Sequence, residues 1–182
     1  TDEEEDEYLP VLYTHNQVVG ARLWFPCLDR VKSLCTFEFQ ITTSPSAVVV
    51  CTGDLTHQVL NESGTLKTSY FTQSKWPIAP RSICLAVGPF KVYPDPDLSY
   101  VTHFYLPNHS LEHVKHTVEA TKRMFSCYEE YLGMSYTEFF GSYKQVFIDS
   151  AYSDISSYAT MSIIDSSFIL DPKIIDNTRD VR

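Results

Sequence analysis

His109, His113 and His116 are the residues here whose type and spacing most invite chemistry. His109-Ser110-Leu111-Glu112-His113 reads H-x-x-E-H. Two imidazoles one helical turn apart can hold a zinc ion together, as in inverted zinc peptidases. The segment around them carries apolar residues at Leu111, Val114, Val118, Phe125, Tyr128 and Leu132, which trace one stripe at helical period. Asn108 or Ser110 can cap the start of this helix, Gly133 can end it, and Glu119 and Arg123 can pair across one turn. Taking about 100° per residue, the three histidines lie roughly 110–170° from the centre of the stripe. The reading is therefore solvated histidines on the wet face of one helix, with no zinc site, since no third ligand is evident.

The rest of the chain holds no H-E-x-x-H, no G-x-S-x-G and no glycine-rich phosphate loop. Carboxylates are plentiful, but no pair is set apart by spacing for acid–base work. The five cysteines, Cys27, Cys35, Cys51, Cys84 and Cys127, are odd in number and lack C-x-x-C. They suggest neither a disulfide framework nor a zinc knuckle, but free thiols in a reducing compartment, cytosol or nucleus. The N-x-S triplets at Asn61 and Asn108 are read as chance occurrences.

The elements that must position these residues change period along the chain. With 182 residues, 43% apolar and 14% aromatic, the chain can bury a core. The net charge is −9; Asp2 to Glu7 supply six of the negatives, and the body keeps 14 basic against 17 acidic residues, or −3. Residues 1–8 are expected to be solvated and unordered. An acidic body is poorly equipped to grip nucleic acid by itself. No apolar run is long enough to span a membrane, no leader is visible, and the chain reads as a piece of a longer protein.

From Leu9 to Tyr93 the pattern is β. Thr36 to Ile41 alternates, with Phe37, Phe39 and Ile41 on one face, and Ala47 to Cys51 is a short β-branched run. Gln58–Leu60 and Leu66–Phe71 flank a hairpin signal, Asn61-Glu62-Ser63-Gly64. Trp76 to Pro80, with two prolines, is expected to be irregular, and Ser82 to Val87 to be a strand. Tyr93 to Asp97 is turn-rich and marks the expected boundary. Strands are expected at Tyr100–Leu106, Tyr143–Asp149 and Ala159–Asp165, around one long helix. The fold class is α+β: a β-rich region at 9–98, then a mixed α/β region at 99–182.

Several segments resemble the M1, or gluzincin, aminopeptidase family. Ala21-Arg22-Leu23-Trp24-Phe25-Pro26-Cys27-Leu28-Asp29 is similar to its A-R-x-x-F-P-C-x-D-E-P segment, and Cys35 to Ile41 follows at the usual distance. Ile83 to Phe90 resembles the strand that closes the family's N-terminal β domain. Tyr128 to Tyr136 resembles its F-Y-E-E-Y-F-G-x-x-Y-P helix end. The resemblance implies a saddle-like antiparallel N-terminal region followed by the start of a thermolysin-like domain. It also implies that the zinc helix lies beyond Arg182.

The departures bear on activity. The family carries G-A-M-E-N, whose glutamate anchors the substrate amine. Here the matching stretch is read as Ala159-Thr160-Met161-Ser162, with Ser162 at the glutamate position and no acid from Tyr158 to Ile164. A hydroxyl cannot supply the charge-assisted bond of a carboxylate. The E-P after F-P-C-x-D is replaced by Arg30-Val31. One non-catalytic member of this superfamily departs in the same way, and the resemblance to it implies a nuclear, peptidase-like scaffold without a cofactor, joining other subunits and meeting DNA through them. An active zinc aminopeptidase with a variant substrate loop is the alternative. No residue is assigned to DNA contact.

Overall fold

The computed structural model describes residues 10–16 and 20–173. The acidic segment at 1–8 therefore lies outside the described residues.

Eleven strands form three sheets among the described residues. They are β1 (Leu12–Tyr13), β2 (Cys35–Thr43), β3 (Val48–Cys51), β4 (Asp54–Leu60), β5 (Lys67–Ile78), β6 (Leu85–Gly88), β7 (Lys91–Pro94), β8 (Val101–Tyr105), β9 (Tyr143–Ile148), β10 (Ile155–Ser157) and β11 (Met161–Asp165). Two sheets, in the orders β1-β6-β3 and β2-β5-β4, are antiparallel. The third, β10-β11-β9-β8-β7, has a parallel centre of β8, β9 and β11 with one antiparallel strand on each edge. Before Leu111 the described residues contain only strands and short 3₁₀ turns, so the molecule is α+β, with its antiparallel part first.

The expected alternation sets β2: Phe37, Phe39 and Ile41 turn inward, though they are only half-buried. The β4–β5 hairpin closes at Asn61 as the sequence suggested, with Gly64 in the left-handed region at φ 69°. Trp76 and Pro77, expected to be irregular, lie within β5. The ladder is interrupted between the pairs Phe37–Gln73 and Cys35–Ile78, so Pro77 withholds no ladder bond. Pro80 opens a 3₁₀ turn, Pro80–Ser82.

The turn-rich stretch after Tyr93 is a hairpin rather than a passage between sheets. β7 pairs with β8, Val92 opposite Phe104, so the chain enters the five-stranded sheet at Lys91. Turn residues reveal a turn, not whether its flanks pair.

The single long helix is two: α1 (Leu111–Val118) and α2 (Thr121–Leu132), followed by one short turn, α3 (Tyr136–Phe139). Ser110 caps α1, its hydroxyl accepting from the Glu112 amide at 3.2 Å. Thr117 donates back to the His113 carbonyl at 2.9 Å, a bond that bends helices, and the Glu119 amide turns to His116 just before the break. Glu119 faces His116 at 3.8 Å instead of Arg123. Gly133 ends α2 at φ 69°, as expected.

Alternation divides the five-stranded sheet into two faces. Val146, Ile148, Met161 and Ile163 pack on Val50, Cys84, Ala86 and Phe90 of the first β region. On the other face Tyr105 and Phe147 pack on Val114 and Val118 of α1. Beyond the half-buried Phe125, the α2 half of the apolar stripe is not covered by the described residues: Tyr128 is 66% and Leu132 58% exposed.

Candidate functional site

The second face of the sheet continues past α1 into a groove. Tyr143 and Gln145 of β9, Ser162 and Ile164 of β11, and Ile155 and Ser157 of β10 form its floor. α2 and α3 form its wall, and the cavity measures about 760 Å³. Phe125, Tyr136 and Tyr143 meet edge-on at 5.4–5.8 Å between ring centres and brace that wall.

Of the positions Ala159, Thr160, Met161 and Ser162, only Ser162 reaches the groove. It is 4% exposed, and its hydroxyl pairs with the Tyr143 hydroxyl at 2.7 Å. Thr160 and Met161 serve the opposite face. The Thr160 hydroxyl accepts from the Gly53 amide at 2.8 Å, and Met161 is fully buried in the core. Ala159 donates its amide to the Ser82 carbonyl at 3.0 Å.

Sequence reasoning missed Ser157, which lies 3.4 Å from Ser162 on the edge strand β10. Three residues are too few to show a period. It also missed a buried array. His103, fully buried, has one ring nitrogen 3.1 Å from an Asp95 oxygen and the other 2.9 Å from Oε1 of Gln145. The pairing of His103 with Gln145 across parallel strands brings them together, a contact no local pattern could announce.

The electrostatics of the groove are those of neutral groups. Burial pushes the phenols of Tyr136 and Tyr143 upward, the Ser162 bond offsetting part of the shift at Tyr143. Glu129 is the one carboxylate among the described lining residues. It accepts from the Tyr136 amide at 2.7 Å and the Ser135 hydroxyl at 2.8 Å, so it serves the start of α3.

The three histidines are not on a wet face. His109 binds Asp149 at 2.7 Å, and its side chain and that of His116 keep 22% and 18% exposure. The helical wheel counted only one packing stripe, whereas the Leu170 amide donates to Thr117 of α1 and the chain around it shelters this side. Among the described residues no three His, Cys, Asp or Glu side chains converge as a metal site would need. Burial pushes the thiols of Cys51 and Cys84 up to about 12, which leaves them protonated small hydrophobes.

No protein-family model matches the chain. Over 178 residues, 98% of the chain, it is 38% identical to the Drosophila melanogaster protein named transcription initiation factor TFIID subunit 2. Over 159 residues, 87% of the chain, it is 40% identical to the Danio rerio protein of the same name. By sequence, this chain is similar to TFIID subunit 2 over most of its length. It spans 13–14% of the length of these TFIID subunit 2 relatives. A crystal structure of a two-domain M1 zinc metallopeptidase superposes with a TM-score of 0.71 over 86% of this chain and 36% of that one, at 21% identity. The described part of this chain therefore has the fold of the matching part of that M1 metallopeptidase. Ile174-Ile175-Asp176, which also resembles that subunit, lies outside the described residues.

Proposed function

We propose that this chain is part of a non-catalytic, aminopeptidase-like scaffold of TFIID. It would act in the nucleus, in RNA polymerase II initiation, supporting subunit assembly and core-promoter recognition. Its partners would be other TFIID subunits, and promoter DNA would be met through the whole complex, because a net charge of −9 gives this segment no electrostatic grip on phosphates. No helix among the described residues is long and apolar enough to cross a membrane. Residues 9–98 would correspond to an aminopeptidase N-domain, whose last strand, β7, already joins the sheet of the region that follows, and 99–182 to the beginning of an inactive catalytic domain.

The observation that carries this reading is a groove whose sheet floor bears no carboxylate, its one acid, Glu129, standing on the α2 wall. Ser157 and Ser162 are neutral, and Glu129 is held by α3. A peptidase that trims amino termini must hold the substrate ammonium while the scissile carbonyl meets the metal. Losing a charge-assisted contact costs about 1.5–3 kcal/mol. That is roughly 10–100-fold in rate when the contact persists in the transition state. The test is turnover of aminoacyl reporter substrates by the full-length protein, with and without added zinc. The expected result is none above background; turnover abolished by a chelator would overturn the proposal.

A further inference from the structure

Lys144 of β9 is 6% exposed, yet its ammonium has a single acceptor among the described residues, the Gly53 carbonyl. No carboxylate of those residues comes within 4.0 Å of it. An ammonium carries three protons, and an interior charge is costly unless it is paired. Burial lowers this group from its ordinary value to about 8, with Asp54 resisting, so at neutral pH it is still largely charged.

The same residue lines a cleft of about 550 Å³ on the face of the five-stranded sheet opposite the groove. The walls are apolar: Val48, Val92, Phe71, Phe104 and Leu55 contribute from β3, β4, β5, β7 and β8. Its other charged groups are already engaged. Asp54 accepts from the Ser142 hydroxyl at 2.6 Å, and Lys67 donates to the Pro45 carbonyl at 2.9 Å. One buried cation that no carboxylate approaches within 4.0 Å, with Asp54 acting on it only from farther off, leaves room at the side of an apolar cleft for one negative charge on an apolar body. A divalent phosphate would find too few donors, and a neutral apolar molecule would leave the ammonium as it is.

We propose that this cleft is a binding site for a small amphipathic monocarboxylate, with Lys144 as its counter-ion. The apolar walls take the hydrocarbon and the ammonium takes the carboxylate, in the volume range usual for small-molecule sites. This site is separate from the groove and does not depend on whether the protein is a peptidase.

The test is calorimetric titration of the full-length protein with octanoate, octanol and acetate. Octanoate is expected to bind saturably at one site, with octanol and acetate each at least tenfold weaker. Lys144→Met should abolish the preference for octanoate over octanol. Val92→Trp, at a half-exposed position on the cleft wall, should weaken octanoate at least tenfold while leaving Lys144 in place, and so tests the site even if the first variant fails to fold. Absence of octanoate binding, equal binding of octanoate and octanol, a preference retained by Lys144→Met, or full binding by Val92→Trp would each overturn the proposal.

Discussion

Replacing Ile163 with aspartate tests whether β11 is an interior strand. Ile163 is 1% exposed, opposite Val146 in the parallel ladder, within the core that joins the sheet to the first β region. Removing the buried side chain alone costs about 2–5 kcal/mol, as in Ile→Ala changes. Aspartate adds a charge there, which the fold tolerates only in protonated form. Holding it protonated at pH 7 costs about 4 kcal/mol, at 1.36 kcal/mol for each of the roughly three pH units above an ordinary value of about 3.9. The sum, about 6–9 kcal/mol, is comparable with the whole stability of a typical domain, about 5–15 kcal/mol. The sign follows from linkage: a carboxyl raised in the folded state loses stability as pH rises, so lowering pH from 7 to 5 should return about 2.7 kcal/mol. Urea unfolding of Ile163→Asp, Ile163→Asn and Ile163→Ala at both pH values measures this, with asparagine as the uncharged control. Equal midpoints for Asp and Asn at pH 7, or no gain for Asp at pH 5, would refute the reasoning.

Ser162→Ala should cost only about 1 kcal/mol, the worth of its bond with Tyr143, and leave assembly intact; thermal unfolding and co-purification check both. Zinc loading should leave well under one metal per chain by elemental analysis, because His109 is committed to Asp149; tight stoichiometric zinc lost on His109→Ala and His113→Ala would contradict this. Lys144 sits below its ordinary value of 10.5 when folded, at about 8, so the unfolded chain binds more protons between those values. The stability of the natural protein relative to Lys144→Met should therefore rise from pH 8 to 10.5, and unfolding titrations of the two in parallel would expose a flat difference.

Local pattern carried much of the architecture. The alternation of Phe37, Phe39 and Ile41, the Asn61–Gly64 turn and the Gly133 cap depend on neighbours in sequence, and each took its expected form. The break at Glu119–Ala120 escaped because the stripe keeps its phase across it. The groove was legible only in part. Ser162 is there, but Ser157 sits on a strand of three residues, too short to show a period, and His103 and Gln145 meet only by the pairing of β8 with β9, 42 residues apart. Lys144 looked like any lysine in a strand, because its burial is made by Gly53 and the β3–β4 turn, about ninety residues earlier.

That clasp has a kinetic consequence. Gly53 is held by Lys144 and Thr160, over separations of 91 and 107 residues, and no side chain could replace its hydrogen, since a Cβ would come within 2.6 Å of the Thr72 carbonyl oxygen. The core of the first β region is likewise finished by Val146, Ile148, Met161 and Ile163. Non-local closure of this kind is slow, because chain entropy is lost before the contacts that repay it are made. A nascent chain emerging from the ribosome therefore presents Val50, Ala86 and Phe90 uncovered until β11 has been synthesised, and during that interval it depends on chaperones or early partners for protection from aggregation.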